Sequence, residues 1–190
     1  KFCVHPHDKF ISTTRIGGTK KLDMEKIRNL RPDLIIGNKE ENEQSQIEEL
    51  MKDFPVWMSD INDLESAIQM IGLVGHLTER ADSAGGIAAQ ISKKFNDIYL
   101  KGASLKVAYF IWKDPYMLAG KNTFIDDMLS RAGFVNVINF DRYPERNAQQ
   151  ILESNPDVIF LSSEPYPFKE SHIPEIKMLF PDVRVLIVDG

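Results

Sequence analysis

The stretch NDLESAIQMIGLVGHLTERADSAGGIAAQISKKFNDIYLK, residues 62–101, carries the longest helical pattern in the chain and contains no proline. Apolar residues recur along it at helical spacing. As one helix it would be about 60 Å long at ~1.5 Å per residue, which is too long for one small domain. Thr78-Glu79-Arg80 is one predicted break, so we expect a shorter helix near 62–77 and a longer one near 79–101.

Other residues of the same stretch predict where these helices begin, bend and end. Asn62, with Glu65 three residues later, has the spacing of a capped start. Gly85-Gly86 predicts a second bend or a place of close packing. Lys101-Gly102 has the pattern of a helix end. We therefore expect residues 80–101 to form a rigid connection about 33 Å long.

The bulk composition is that of an ordinary globular protein. The chain has 190 residues, enough for one large or two small domains, and a net charge of −5. That charge disfavours nucleic acid and anionic membrane as general partners. Cys3 is the only cysteine, which excludes an internal disulfide but leaves the compartment open. The first and last residues have the patterns of strands, so we expect a trimmed form of a longer chain.

The first half alternates between strand and helix patterns, which favours a parallel sheet covered by helices. A strand at 1–4 is followed by a predicted loop through Thr19, and Asp23 is placed to cap a helix over 24–30. Asn42 is placed to cap a second helix, whose inward residues are Ile47, Leu50 and Met51. The further predicted strands are 34–37 and 54–58.

The second half repeats this alternation. The predicted strands are 105–112, 135–138, 158–161 and 183–188, and the predicted helices begin after Asn122 or Thr123 and cover 145–154 and 170–180. LRPDLIIGNKEEN, from residue 30, aligns with SNPDVIFLSSEPY, from residue 154, and a Phe-Pro pair follows both. This internal match predicts two pseudo-symmetric α/β lobes, 1–61 and 102–190, joined by a helical connection over 62–101.

In open parallel sheets, ligands bind beyond the carboxyl ends of the strands, so the loops at those ends are the candidate site. Aromatic residues and prolines are frequent in them, which suits a large, flat, partly apolar ligand. The candidate loops are His5-Pro6, Asn38-Lys39, Trp112 to Ala119, Arg142-Tyr143-Pro144 and Ser162 to Tyr166.

A family resemblance is carried by most of the chain, in the segments FCVHP, IGGTK, LDMEKIRNLRPDLIIGNKEEN, FPVWMSDINDLESAI, FIWKDPYMLAGKNTFIDDMLSRAGFVNV, RYPE and NPDVIFLSSEPYPF. The chain resembles the substrate-binding proteins of ABC importers for cobalamin, ferric siderophores and haem, above all the cobalamin branch. The resemblance implies an α/β fold of two Rossmann-like lobes with parallel sheets, joined by a long bridging helix. It also implies capture of a corrinoid or related metal chelate in an interlobe cleft and delivery to an ABC permease.

The resemblance also implies roles for particular residues. Ligand contacts are expected from His5, Trp112, Tyr116 and Tyr143, and from the other candidate loop residues Pro6, Asn38, Lys39, Arg142 and Tyr166. Docking to the permease dimer is expected from one acidic residue on each lobe, with the candidates Glu40, Glu41, Glu43, Glu164 and Glu170. No catalytic residue, metal ligand or cofactor of the protein's own is implied. We expect a monomer outside the cytoplasm, periplasmic or a cell-surface lipoprotein, peripheral to the membrane.

Several residues have a second interpretation. Cys3, His5 and His7 alternate and could form a metal site, although three donors on one strand rarely converge on one ion. Trp112 could stack on ligand or belong to the core, whereas the surroundings of Trp57 favour the core. Arg142 could pair with a ligand or remain a solvated charge.

Two further site hypotheses follow from the sequence. Gly17 to Lys20 lacks the full spacing of a phosphate loop, so we discount a phosphate role. The alternative to a receptor is an enzyme of the tetrapyrrole chelatase type on a similar fold, with His5 or His7 carrying metal or a proton.

Overall fold

The computed structural model describes residues 6–96 and 104–190. The chain divides into two compact units, Lys1–Asp60 and Ile61–Gly190, which are treated separately below. The strand predicted at 1–4 and the residues Cys3 and His5 lie outside the described part.

In the described part of the first unit, residues 6–60, there are four strands and three helices. These are α1 (His7–Ser12), β1 (Gly17–Gly18), β2 (Lys21–Leu22), α2 (Met24–Leu30), β3 (Ile35–Asn38), α3 (Gln44–Leu50) and β4 (Val56–Ser59). Strands β1 and β2 form an antiparallel hairpin, and β3 and β4 pair in parallel. The prediction of a continuous loop before Thr19 is wrong, because α1 and β1 lie within that region.

The helix caps observed in this unit agree only in part with those predicted from the sequence. The Asp23 carboxylate accepts a hydrogen bond from the Lys26 amide at 3.1 Å, which confirms the predicted cap of α2. The predicted cap of α3 is wrong, because the Asn42 side chain instead accepts from the Asn38 amide at 2.8 Å. Glu43 occupies the cap position without a side-chain bond. Met51, expected to face inward, is 48% exposed.

Residues 61–96 and 104–190 of the second unit form a five-stranded sheet and five α-helices. They are α4 (Leu64–Leu77), α5 (Ala81–Asn96), β5 (Lys106–Trp112), β6 (Met117–Leu118), α6 (Phe124–Arg131), β7 (Val135–Asn136), α7 (Ala148–Glu153), β8 (Val158–Ser162), α8 (Ile173–Leu179) and β9 (Arg184–Val188). The order is β6-β5-β8-β9, with β7 also paired to β5. Strands β7, β8 and β9 run parallel to their partners, and β6 is antiparallel to β5.

Alternating residues of the central strand β5 bury both faces of this sheet. Ala108 and Phe110 lie in a core with Ile151 of α7 and Ile176 of α8. Val107, Tyr109 and Ile111 lie in a second core with Leu129 of α6. Helices therefore cover both faces of the sheet, as a buried parallel sheet requires.

The central pair of helices begins and breaks near the predicted positions. The cap of α4 is Asp63, not Asn62, since the Asp63 carboxylate accepts from the Ser66 amide at 2.7 Å and the Asp63 amide donates to the Ser66 hydroxyl oxygen at 3.2 Å. The predicted break at 78–80 is confirmed, with Glu79 at φ 56°. The described part of α5 ends at Asn96, so the predicted extension to Lys101 falls largely outside the described residues.

The glycine that permits close packing of these helices is not the one that the sequence predicts. Gly85-Gly86 lie inside α5 without a break, and a methyl group added at either would meet no neighbouring atom. The close contact is at Gly75 instead, where an added methyl group would collide with Cβ of Ala84. Glycine at position 75 therefore lets α4 and α5 approach each other.

The predicted repeat is visible in the order of elements. The first unit contains α2-β3-α3-β4 and the second contains α7-β8-α8-β9, and in both the two strands are parallel neighbours. This order confirms the predicted α/β class with parallel sheets. The division into 1–61, 62–101 and 102–190 remains a prediction. Among the described residues, no helix is long and apolar enough to cross a bilayer.

Candidate functional site

The carboxyl ends of β5 and β8 bring aromatic side chains together in the second unit. Trp112 is the last residue of β5 and is 40% exposed. Its ring meets the ring of Tyr166, from the loop after β8, edge to face with centroids 5.6 Å apart. The Tyr166 amide donates to the carbonyl of Ile111 at 3.3 Å, which holds that loop against β5. Two residues predicted for the site are therefore neighbours.

Two residues that the sequence interpretation missed extend this group. Phe168 and His172 lie with ring centroids 4.7 Å and 5.7 Å from that of Tyr166. Phe168 is buried, and the His172 Nδ1 accepts from the Lys169 amide at 2.9 Å. We call Trp112, Tyr166, Phe168 and His172 the aromatic cluster. Phe168 and His172 follow β8 in the sequence, and this position is the signal that could have identified them.

Tyr116 lies on the same β5–β6 connection as Trp112 but contacts the core. Its ring meets that of Phe110 edge to face, 5.3 Å between centroids. Burial raises the pKa of the Tyr116 phenol, so the hydroxyl is neutral at physiological pH. Tyr116 is half-buried, so its side chain lies at the boundary between the core and the protein surface.

The segment 140–146 lies beside β6 because its backbone pairs with residues 116–121. The Lys121 amide donates to the carbonyl of Phe140 at 2.7 Å, and the Arg146 amide donates to that of Tyr116 at 3.0 Å. Gly120 permits this approach, since a methyl group there would collide with the Phe140 carbonyl. The helix predicted over 145–154 is wrong at its start for this reason, and α7 begins at Ala148.

This pairing leaves an open cavity of about 370 Å³ next to Tyr116. Its walls come from the β5–β6 connection and from the segment that leads into α7. The residues that line it are Asp114, Pro115, Tyr116, Glu145, Arg146, Asn147 and Ala148. We call it the polar cavity.

The cations around these residues already have partners. Lys113 Nζ forms an ion pair with Glu175 at 2.5 Å, and that hydrogen bond raises the pKa of Lys113. The Arg146 guanidinium lies over the ring of Phe140, 3.7 Å from its centroid, and donates to the Glu145 carbonyl at 2.7 Å. Both cations are held by protein groups.

Arg142, which could pair with ligand or stay solvated, is held within the second unit. Its Nη1 donates to Asn62 Oδ1 at 2.6 Å and to the Asn122 carbonyl at 3.2 Å. Its guanidinium carbon is 5.9 Å from the ring centroid of the half-buried Tyr143. These bonds connect the loop that contains Tyr143 to Asn62, the residue before the cap of α4.

In the first unit, the loop after β3 is fixed by Asn38. Its Oδ1 accepts from the amides of Glu40 and Glu41 at 2.9 and 3.2 Å, and its Nδ2 donates to Ser59 at 3.2 Å. Lys39 forms an ion pair with Asp60. The ligand roles predicted for Asn38 and Lys39 remain predictions, and the observed bonds give both a part in holding the loop.

The other predicted residues are placed as follows. Pro6 precedes α1, and His5 lies outside the described residues. Trp57, expected in the core, is half-buried on β4. The candidate docking residues Glu41, Glu43, Glu164 and Glu170 are exposed, and Glu40 is half-buried. Within residues 6–96 and 104–190, no three His, Cys, Asp or Glu side chains are grouped as metal ligands would be.

The comparison with known families gives a match over residues 2–177, to the model described as periplasmic binding protein. The chain belongs to the periplasmic binding protein family. This family is one of binding proteins and not of enzymes, which agrees with the prediction that the chain is not an enzyme and counts against the chelatase alternative.

Similar proteins support the same fold. A vitamin B12-binding protein of Vibrio cholerae is 23% identical over 154 residues, which are 78% of this chain and 56% of that protein. An ABC transporter substrate-binding protein from Listeria monocytogenes has a TM-score of 0.81 at 20% identity, covering 96% of this chain and 77% of that one. The haem-binding protein HutB of Vibrio cholerae gives 0.77 at 16% identity, with coverages of 96% and 77%. The chain spans little more than half the length of the curated relatives it matches.

Proposed function

We propose that this periplasmic binding protein is an extracytoplasmic receptor that captures a corrinoid or a related metal chelate and delivers it to an ABC permease. The relatives named for vitamin B12 and for haem both bind large, flat, metal-containing macrocycles, and these names support the ligand class. The Listeria monocytogenes protein, named as an ABC transporter substrate-binding protein, supports the delivery step.

The observation that carries the proposal is the half-exposed Trp112 at the carboxyl end of β5, braced by Tyr166. A large aromatic side chain left in solvent at a sheet edge has an unused apolar face. A macrocycle with an extended π-surface fits such a face, and the edge contact with Tyr166 limits the rotation of the indole. The aromatic cluster therefore supplies one preformed surface of the ligand site.

Docking to the permease is proposed for one exposed carboxylate on each unit. Glu41 and Glu164 both follow a strand of the repeated motif, β3 and β8 respectively. Two acidic points on separate units would align a receptor with basic residues of a permease dimer. Neither is needed for the aromatic surface, so ligand binding and docking are separable.

Equilibrium titration with cyanocobalamin, dicyanocobinamide, haemin and a ferric siderophore tests the proposal. We expect one-to-one binding of at least one of them, followed by absorbance and tryptophan fluorescence, and recovery of the ligand unchanged. Folded protein, shown by circular dichroism, that binds none of the four would contradict the receptor assignment. Insertion of metal into a free macrocycle would instead favour the chelatase.

A further inference from the structure

We infer that Lys113 and Glu175 are positioning residues for the ligand site: their ion pair joins the end of β5 to the start of α8 and thereby fixes the direction of the Trp112 indole. This inference rests on the proposed function, in which the indole supplies a surface for the ligand. It is carried by the irregular end of β5, by the burial of the ion pair and by the two segments that the pair connects.

The end of β5 is irregular, so the strand alone does not fix the direction of Trp112. Strand β5 has one extra residue between Phe110 and Trp112 where it pairs with β6. A bulge of this kind bends a strand and changes the direction of its side chains. The Ile111 carbonyl at the bulge accepts at 3.3 Å from the amide of Tyr166, a residue beyond the end of β8. The direction of the 40% exposed indole therefore depends on the contacts of the residues next to it.

Lys113, the next residue, makes such a contact. Its Nζ is 2.5 Å from the Glu175 carboxylate, and 15% of the Lys113 side chain is exposed, against 42% for Glu175. Holding a lysine ammonium this far from water is unfavourable without an anionic partner. The pair therefore fixes the course of the chain immediately after Trp112 more firmly than a fully exposed ion pair would.

The pair connects the two segments that form the aromatic cluster. Lys113 follows Trp112 directly, and Glu175 lies in the first turn of α8, shortly after His172. The segment that leads into α8 is held from the other side by Phe168, which is buried in the core. Glu175 thus lies on a fixed support, and the ion pair extends that support to the end of β5.

Electrostatics link the pair to Tyr166 as well. The hydrogen bond to Glu175 is the main cause of the raised pKa of Lys113, and the Asp114 carboxyl and the Tyr166 phenol have smaller effects in the same direction. The Lys113 ammonium therefore lies close enough to the Tyr166 phenol to interact with it, and it stays charged across the physiological pH range. The ion pair is accordingly present whenever the receptor would meet a ligand.

The test uses the Trp57→Phe protein, in which Trp112 is the only tryptophan. Lys113→Met removes the ammonium but keeps a side chain of similar length. Without ligand, we expect acrylamide to quench the Trp112 emission about twofold more efficiently and the fluorescence anisotropy to fall, because the indole becomes more mobile. The dissociation constant for dicyanocobinamide, or for haemin if the wild type prefers haemin, should rise about fivefold.

Three further variants separate positioning from general stability. Lys113→Arg keeps the charge and should retain nearly wild-type quenching and affinity. Glu175→Gln should reproduce the effects of Lys113→Met, and combining the two should add little to either, because both remove the same interaction. Lys177→Met removes a charge from an exposed position on the same helix and is the matched control, with no change expected in either signal.

Unchanged quenching in Lys113→Met would overturn the inference, and so would a weaker affinity accompanied only by a lower free energy of unfolding. Fully additive effects of Lys113→Met and Glu175→Gln would also overturn it. An indole that becomes more mobile in a folded protein that binds none of the tested chelates would contradict the receptor function and leave the positioning of Trp112 by the ion pair in place.

Discussion

The indole of Trp112 and the phenol ring of Tyr166 meet edge to face, with centroids 5.6 Å apart and planes at 71°. One residue ends strand β5 and the other follows strand β8, which is its parallel neighbour. Such a pair is worth about 0.5–1.5 kcal/mol beyond its buried area. Under the proposed function, this contact holds an exposed aromatic surface in place before ligand arrives, which reduces the entropy lost on binding.

Removal of this surface should weaken binding. We expect Trp112→Ala to raise the dissociation constant for the corrinoid by the equivalent of more than about 1 kcal/mol, because the stacking contact is lost. Trp112→Phe should retain part of the affinity. Trp57→Phe in the other unit is the control, with the same loss of an indole and no expected change. An unaltered dissociation constant for Trp112→Ala in a folded protein would place Trp112 outside the site.

The contact between α4 and α5 can be tested at one glycine. Gly75→Ala should lower the free energy of unfolding by about 1–3 kcal/mol, because the added methyl group would collide with Ala84. Gly72→Ala, one turn earlier on the same helix and with open space around it, should instead raise it by up to about 1 kcal/mol. Chemical denaturation of both variants measures the difference. Equal effects would show that the helices do not pack closely at Gly75.

The cap of α4 predicts a dependence of stability on acid. Hydrogen bonds from Ser66 lower the pKa of the Asp63 carboxyl. The folded-state value lies below the unfolded one, so this contribution is fully present above the unfolded value of about 4 and is lost as pH falls through the folded value. Asp63→Ala should lower the free energy of unfolding by about 1 kcal/mol at pH 7.

Asp63→Asn serves as the control for this cap, because asparagine can accept the same hydrogen bond without titrating. Its stability at pH 7 should be close to that of the wild type. Its loss of stability between pH 5 and pH 2, followed by thermal unfolding, should be smaller. A wild type and an Asp63→Asn variant with the same acid profile would contradict the role given to the carboxylate.

Substitutions at the docking residues should impair import without changing ligand affinity. Glu41→Ala with Glu164→Ala should impair import in cells that depend on this receptor, since both exposed carboxylates are proposed to meet the permease. Ligand affinity in solution should stay unchanged, because neither residue belongs to the aromatic cluster or the polar cavity. Glu25→Ala, a third exposed glutamate, is the control. Normal import by the double variant would remove both residues from the docking surface.

The sequence predicted well those features that depend on local periodicity. Helix α2 and its Asp23 cap, the break after Leu77 and the buried strands β5 and β8 all follow from patterns within a few residues. The parallel pairing of β3 with β4 and of β8 with β9 agrees with the internal repeat.

Features that depend on distant partners were predicted less well. The sequence predicts Asn62 as a cap, but its side chain accepts from Arg142, 80 residues away, and Asp63 occupies the cap position. The sequence pattern predicts a helix that includes Glu145, but backbone pairing with the β6 region keeps this residue extended. The glycine that permits close helix packing is Gly75, because only the partner helix determines where space is short.

The candidate site shows the same division. Aromatic residues at strand ends identified Trp112 and Tyr166, since their position follows from the sheet. His172 was missed because it joins the cluster through a helical turn at 170–172 that the sequence did not distinguish from the following helix. The polar cavity was missed because its two walls come from segments about 30 residues apart.

The most direct test uses the fluorescence of Trp112 alone. The chain has two tryptophans, so Trp57→Phe leaves only the indole at the end of β5. Titration of this variant with dicyanocobinamide, followed by both corrinoid absorbance and emission, should give saturable quenching with the same dissociation constant by both signals. Binding seen by absorbance without any change in Trp112 emission, or no binding by the folded protein, would contradict the account.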